Sequence, residues 1–117
     1  MKKNIVFAFL FFTTITKAQI PTITLEVISK FEGKVVTICE EVTGTYASKK
    51  NTVFLNFGKP FPKNEFTIVL FSGAIESFSY NPKEFLKNKV ICARGKIVQY
   101  KGKYEMIVSK QEDIKIQ

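Results

Sequence analysis

Apolar and polar residues alternate through the run Lys34–Tyr46, KVVTICEEVTGTY. Val36 and Ile38 fall on one side, with Glu40 following their parity. Val35, Thr37, Cys39 and Glu41 fall on the other. A period of two predicts a long strand, and Gly44 late in the run predicts a bulge or sharp bend. Ala47–Asn51 (ASKKN) reads as a polar loop. Two further runs follow, Thr52–Phe57 and Glu65–Phe71, separated by the break GKPFPKN. Both are too short and too rich in β-branched and aromatic residues for helices, and the Gly and two Pro between them favour a turn. Thr52–Phe71 is therefore a predicted β-hairpin carrying Phe54, Phe57, Phe61, Phe66 and Phe71.

Ser72–Tyr80 is a transition. Asn81 is then placed to cap a short helix, Pro82–Leu86, with Pro82 in its first position and Phe85 and Leu86 as anchors. Val90–Tyr100 (VICARGKIVQY) predicts another long strand, again with an internal glycine, Gly95. A tight turn at Lys101-Gly102-Lys103 leads to a last strand, Tyr104–Ser109. The tail Lys110–Gln117 is polar, with Ile114 and Ile116 available to dock as an edge. Ahead of all this, Leu25, Ile28 and Phe31 recur every third residue in a lead-in, Gln19–Glu32, and suggest a short amphipathic helix ended by Gly33.

The order strand, strand, strand, short helix, strand, strand predicts an all-β chain with one short helix: the five-stranded Greek-key barrel of the OB-fold. Glycines inside the long first and fourth strands suit the curvature that closure demands. A small open sheet covered by one helix is the competing architecture.

The first eighteen residues stand apart. Lys2-Lys3, the apolar run Ile5–Phe12 and the small-x-small triplet Thr16-Lys17-Ala18 read as a secretory signal peptide, 1–18, ahead of a single domain, 19–117. The apolar run is too short to span a bilayer, and the remaining chain holds no membrane span. An exported protein, periplasmic or extracellular, is expected. Without Lys2, Lys3 and Lys17, fifteen basic residues face ten acidic ones, a net charge of +5 in place of +8. That balance attracts polyanions and equally suits an ordinary soluble surface.

Export bears on Cys39 and Cys92. In a barrel of this order the first and fourth strands are neighbours, so the two side chains can meet as a disulfide. The other reading is a pair of buried free thiols; an oxidising compartment favours the bridge. Catalysis has little to draw on. The chain has no histidine, which removes the commonest general base and metal ligand. Glu40 and Glu41 are strand neighbours and point to opposite faces, and Glu112-Asp113 lies in the polar tail. No nucleophile, phosphate-loop or metal motif is present. A non-enzyme with no cofactor and no metal is expected.

A binding face remains. OB-folds bind across strands two and three, bordered by the loop after strand one and the loop between strands four and five. Pleating assigns Val53, Leu55, Phe57 and Phe66, Ile68, Leu70 to the core. It turns Phe54 and Asn56, with Thr52, outward beside Thr67, Val69 and Phe71. The loops add Lys49, Lys50, Lys59, Lys101 and Lys103, and strand four adds Tyr100 with Arg94 or Lys96. Exposed rings rimmed by lysines suit single-stranded nucleic acid or another polyanion. The same face could instead dock a protein partner or an oligosaccharide.

The segments GKVVTICEEV, FLNFGKPFPKNEFTIVLF, FLKNKVICARGKI and YKGKYEMIVSKQEDI also resemble a family of small bacterial OB-fold domains. The likeness runs from Gly33 to Ile114, and its most specific piece is FLNFGKPFP followed by FTIVLF. The resemblance implies an exported, nucleic-acid-binding-like module of a kind sometimes found alongside secreted nucleases. Two positions depart from the family pattern. Glu40-Glu41 stand where it often has a basic residue or glycine, and Phe71 where it often has tryptophan.

Overall fold

A computed structural model describes residues 19–117; the signal segment expected at 1–18 lies outside the described residues. Strand β1 (Thr22–Ile23) precedes a 3-10 helix, Leu25–Phe31. Then come β2 (Val35–Ala47), β3 (Val53–Gly58) and β4 (Asn64–Leu70). Two single-turn helices follow, α1 (Ser72–Ile75) and α2 (Pro82–Phe85). The chain ends with β5 (Val90–Tyr100), β6 (Lys103–Ile107), a 3-10 turn (Gln111–Asp113) and β7 (Ile114–Ile116).

Five of these strands close on themselves. Antiparallel pairing joins β2 to β3, β3 to β4, β6 to β5 and β5 back to β2, while β4 and β6 run parallel. That cyclic order is the OB-fold barrel, and it excludes the open sheet. Closure rests on β2, which serves two neighbours. Its first half, Val35–Glu41, pairs with β5, and its second half, Val42–Ala47, pairs with β3. The register shifts between Val42 and Gly44, where the sequence placed a bulge. A bulge bends the strand and sharpens its twist, which is how one strand turns a barrel corner. The short β1 and β7 are additions outside the barrel, alongside β2 and β5.

The strand parities hold. Val36, Ile38, Leu55, Ile68, Leu70, Ile91, Ala93, Ile97 and Met106 are fully buried, and the rings of Phe57 and Phe66 meet across β3 and β4 at 5.9 Å. A methyl group at Gly95 would lie 2.7 Å from Cγ of the buried Met106, so the glycine in β5 makes room for that side chain. Lys101 and Gly102, with φ of 51° and 80°, form the two-residue turn joining β5 to β6. Positive φ at both positions is the hairpin geometry that matches strand twist. The three-residue spacing of Leu25, Ile28 and Phe31 matches the helix that forms, since a 3-10 helix has three residues per turn. Ile28 is buried in the core, with Leu25 and Phe31 packed against it.

Several expectations need adjusting. The strand expected over Glu65–Phe71 spans Asn64–Leu70, so Phe71 lies just outside it, ahead of α1. The Ser72–Tyr80 transition contains that extra helical turn. At α2, Asn81 accepts from the backbone amides of Lys83 and Glu84 as expected of a cap. Of the two expected anchors only Leu86 is buried; Phe85 is exposed, packed on Tyr80 with the Lys89 ammonium over its ring. The final strand stops at Ile107, short of Ser109. In the tail, β7 pairs with β5 as anticipated, but Ile114 is buried and Ile116 is exposed.

Cys39 and Cys92 are directly paired residues of β2 and β5, and they form a disulfide with a Cα–Cα distance of 3.9 Å across 53 residues. It ties the seam at which the barrel closes. Protein produced under oxidising conditions, denatured and left unreduced, should show no free thiol. The Cys39→Ser/Cys92→Ser variant should lose about 2–4 kcal/mol of stability. Two titratable thiols, or an unchanged denaturation midpoint in the variant, would contradict the bridge.

Candidate functional site

Parity puts every second residue of β3 and β4 on the outside of the barrel, and the register then sets them in rows. One row runs Tyr46, Phe54, Val69, Ile107 across β2, β3, β4 and β6. The next runs Gly44, Asn56, Thr67, Glu105. The first row is apolar and the second polar.

In the apolar row the half-buried Phe54 stacks on Tyr46, with centroids 6.1 Å apart and planes inclined by 26°. Tyr46 is 60% exposed and Ile107 44%. Between them Val69 is only 3% exposed. It faces outward as expected but is flanked by the larger Phe54 and Ile107, so it serves as floor and offers no contact of its own. Phe71, 52% exposed, stands at the end of β4. The lead-in does not cover these rings, because its strand pairs along the first half of β2 and its helix turns Ile28 into the core.

The polar row departs from expectation. Asn56 was expected in the open beside Phe54, yet it is 6% exposed. The cause is a network within the sheet. The amide nitrogen of Asn64 donates to the carbonyl of Phe66 (3.3 Å), to Thr67 Oγ1 (2.7 Å) and to Asn56 Oδ1 (3.3 Å). Thr67 Oγ1 donates in turn to Asn56 Oδ1 at 3.0 Å. Thr67, half-buried, is thus a structural tie between β3 and β4 in addition to its place on the face. Asn64 Oδ1 is buried with no partner among the described residues, a cost the other bonds of the network must offset. At the end of the row, burial pushes the Glu105 carboxyl above its usual range. On β2, burial and then the nearby Glu26 and Glu65 carboxylates raise Glu40 in the same direction.

The lysines fall at the two ends of β3. Lys49 and Lys50 lie in the β2–β3 loop at its start, and Lys59 lies just past its end. Lys101 in the β5–β6 turn and Lys103, the first residue of β6, join Lys59 at that second end. The Lys103 ammonium donates to the carbonyl of Pro62 at 2.7 Å, fastening the turn to the β3–β4 loop. Tyr100 is exposed there with the Lys101 ammonium 5.3 Å from its ring centre, and Phe61 projects from the same loop. Arg94 does not join the face: its guanidinium is held by Asp113 of the tail at 2.7 Å. Among the described residues no group of three or more His, Cys, Asp or Glu is placed to hold a metal.

Tyr46 and Ile107 are the residues that sequence reasoning missed. The bulge at Gly44 was legible, but the partner of each outward residue follows only from the register beyond it.

No protein-family model and no curated protein matches the chain. Solved structures do. An enzyme described as an aspartyl-tRNA synthetase from Leishmania major Friedlin superposes with a TM-score of 0.55 at 14% identity, over 90% of this chain and 22% of its own. The aspartyl tRNA synthetase from Entamoeba histolytica gives 0.54 and 14%, over 95% and 27%. The asparaginyl-tRNA synthetase from Pyrococcus horikoshii gives 0.55 and 14%, over 80% and 22%. The shared property is the fold. This chain spans about a quarter of the length of those enzymes or less.

The polar tie predicts a stability effect separate from any ligand. Thr67→Val keeps the shape but leaves Asn56 Oδ1 and the Asn64 amide short of a partner, and should cost about 1–3 kcal/mol. Chemical denaturation reads it directly; an unshifted midpoint would mean the network carries no net stability.

Proposed function

We propose that this chain is an exported, non-catalytic module that binds single-stranded nucleic acid across the outer face of β3 and β4. The observation that carries the reading is the stack of exposed Tyr46 on half-buried Phe54, on the outer face, with exposed lysines at both ends of the strand beneath it. Bases stack on rings whatever their identity, for roughly 1–3 kcal/mol each, while cations follow the phosphates. Lys49 and Lys50 serve one end of such a strand, and Lys59, Lys101 and Lys103 the other. Two supports are independent of the lysines. This is the face that OB-folds use for oligonucleotides and oligosaccharides, and the structural neighbours bear the names of tRNA synthetases. Export is supported by the leader-like residues 1–18 and by the disulfide, which belongs to oxidising compartments. No helix among the described residues is long and apolar enough to cross a membrane.

Catalysis is not part of the proposal. The chain lacks histidine, and on the face Asn56 Oδ1, Asn64 Nδ2 and Thr67 Oγ1 are engaged in holding β3 to β4. The other reading, docking of a protein or an oligosaccharide, draws on the same apolar row through Tyr46, Phe71 and Ile107.

Salt separates the two. Titrating residues 19–117 with a fluorescent single-stranded oligonucleotide should show binding at low salt. Affinity should fall steeply with salt, with a log–log slope of roughly −2 to −3.5 if three to five lysines meet phosphates. Phe54→Ala should weaken binding about 5- to 150-fold at constant salt, the equivalent of one lost stack. Absence of binding at low salt, or full affinity in Phe54→Ala, would overturn the proposal. Salt-insensitive association with an uncharged oligosaccharide or a protein would favour the alternative.

A further inference from the structure

The hydrogen bonds around Asn56 fix which way its amide faces, and that orientation bears on what the face can read. The carbonyl of Phe66 can only accept, so the Asn64 group 3.3 Å away must be the amide nitrogen. That nitrogen also donates to Thr67 Oγ1, which leaves the single hydroxyl proton of Thr67 for Asn56 Oδ1. A second contact from Asn64 reaches the same oxygen. Asn56 Oδ1 therefore faces two donors, the Thr67 hydroxyl and a proton that Asn64 shares among its acceptors. Asn56 Nδ2 is left with two donors and no partner among the described residues. Among the described residues the one polar side-chain atom both buried and unpartnered is Asn64 Oδ1, so the remaining exposure of Asn56 belongs to a side chain whose free end is Nδ2.

A notch lies beside that donor. Gly44 is the β2 partner of Asn56, and a Cβ built on it meets nothing within 4 Å. Tyr46 and Phe54 are the next pair along, two residues on and on the same side. Two residues of strand span roughly 6.5–7 Å, about the breadth of a base. A base stacked on the Tyr46–Phe54 pair therefore brings its edge over Gly44 and onto an amide that can only donate.

We infer that Asn56, reached through the gap at Gly44, is a specificity-determining residue that selects a base presenting a carbonyl oxygen. Thymine and uracil offer two such oxygens, whereas adenine accepts only through ring nitrogens and sets its exocyclic amine, a donor that would oppose the Asn56 amide, beside N1 and N7. The inference rests on the nucleic-acid reading above and adds to it a preference for carbonyl-bearing bases at one stacking position.

The test compares ten-residue oligo(dT) and oligo(dA) by fluorescence anisotropy at one low salt concentration, for residues 19–117 and two variants. The unmodified protein should bind oligo(dT) about 3- to 10-fold more tightly than oligo(dA), the worth of one hydrogen bond. Gly44→Val fills the notch where a side chain meets open space, keeps the stacking rings and should bring the ratio down to about one. Asn56→Asp keeps an inward oxygen for Thr67 and Asn64 but turns an acceptor outward, and should shift the ratio toward oligo(dA), whose exocyclic amine can donate. Because oligo(dA) stacks on itself, the change between the unmodified protein and Gly44→Val decides the matter. It also stands if Asn56→Asp fails to fold. A ratio that is the same in both, whatever its value, overturns the assignment of Asn56 while leaving nucleic-acid binding intact. No binding to either oligonucleotide overturns both.

Discussion

One strand carries this fold by facing two partners. β2 gives its first half to β5 and its second half to β3, and the register shift between Val42 and Gly44 is the corner at which it turns. Without that corner the sheet would keep two long open edges, which proteins otherwise have to shield. With it, the strands enclose an interior filled by Val36, Ile38, Leu55, Phe57, Phe66, Ile68 and Met106. The Cys39–Cys92 bridge lies in the half of β2 that closes the circle. The covalent tie thus holds the seam joining residues far apart in the chain, where loop-closure entropy works hardest against pairing.

Closure also determines the outer face. Once alternate residues of β3 are committed to the interior, Phe54 and Asn56 must lie outside, and the corner in β2 sets Tyr46 beside the first and Gly44 beside the second. The Asn64–Thr67–Asn56 network then holds β3 to β4 from the outside. Under the proposed function, stacking rings on paired strands, backed by buried hydrogen bonds, would need little ordering to receive a ligand. Such preorganisation lowers the entropic cost of association. The lysines lie instead at either end of β3, in the flanking loops and at the start of β6.

Much of this was written in the order of residues. Period-two alternation identified the core sides of β3 and β4, because a strand half-buried in a barrel has no other way to hide Leu55 or Ile68. The disulfide was legible once the strand order was known, since first and fourth strands are neighbours in this topology. The three-residue spacing of Leu25, Ile28 and Phe31 carried the 3-10 period. What stayed hidden depended on register. Asn56 looks like an exposed polar residue until Asn64 and Thr67 are known to lie against it, and that contact spans a hairpin with an irregularity near its turn. Tyr46 gains its partner only after the bulge in β2, where one residue of slippage would turn it to the other face. Phe71 and Phe85 were read as parts of regular elements, and both sit exposed at element ends. For the ligand, the sequence offered rings and lysines without their arrangement.

The most direct measurement is an amide chemical-shift map of residues 19–117 as a single-stranded oligonucleotide is added at low salt. Perturbations should gather at Tyr46, Phe54 and Ile107 and in the loops holding Lys49, Lys50, Lys59 and Lys101, leaving β7 and the Cys39–Cys92 seam unchanged. Shifts centred on β1, β5 and β7, with the Tyr46–Phe54 row silent, would contradict it.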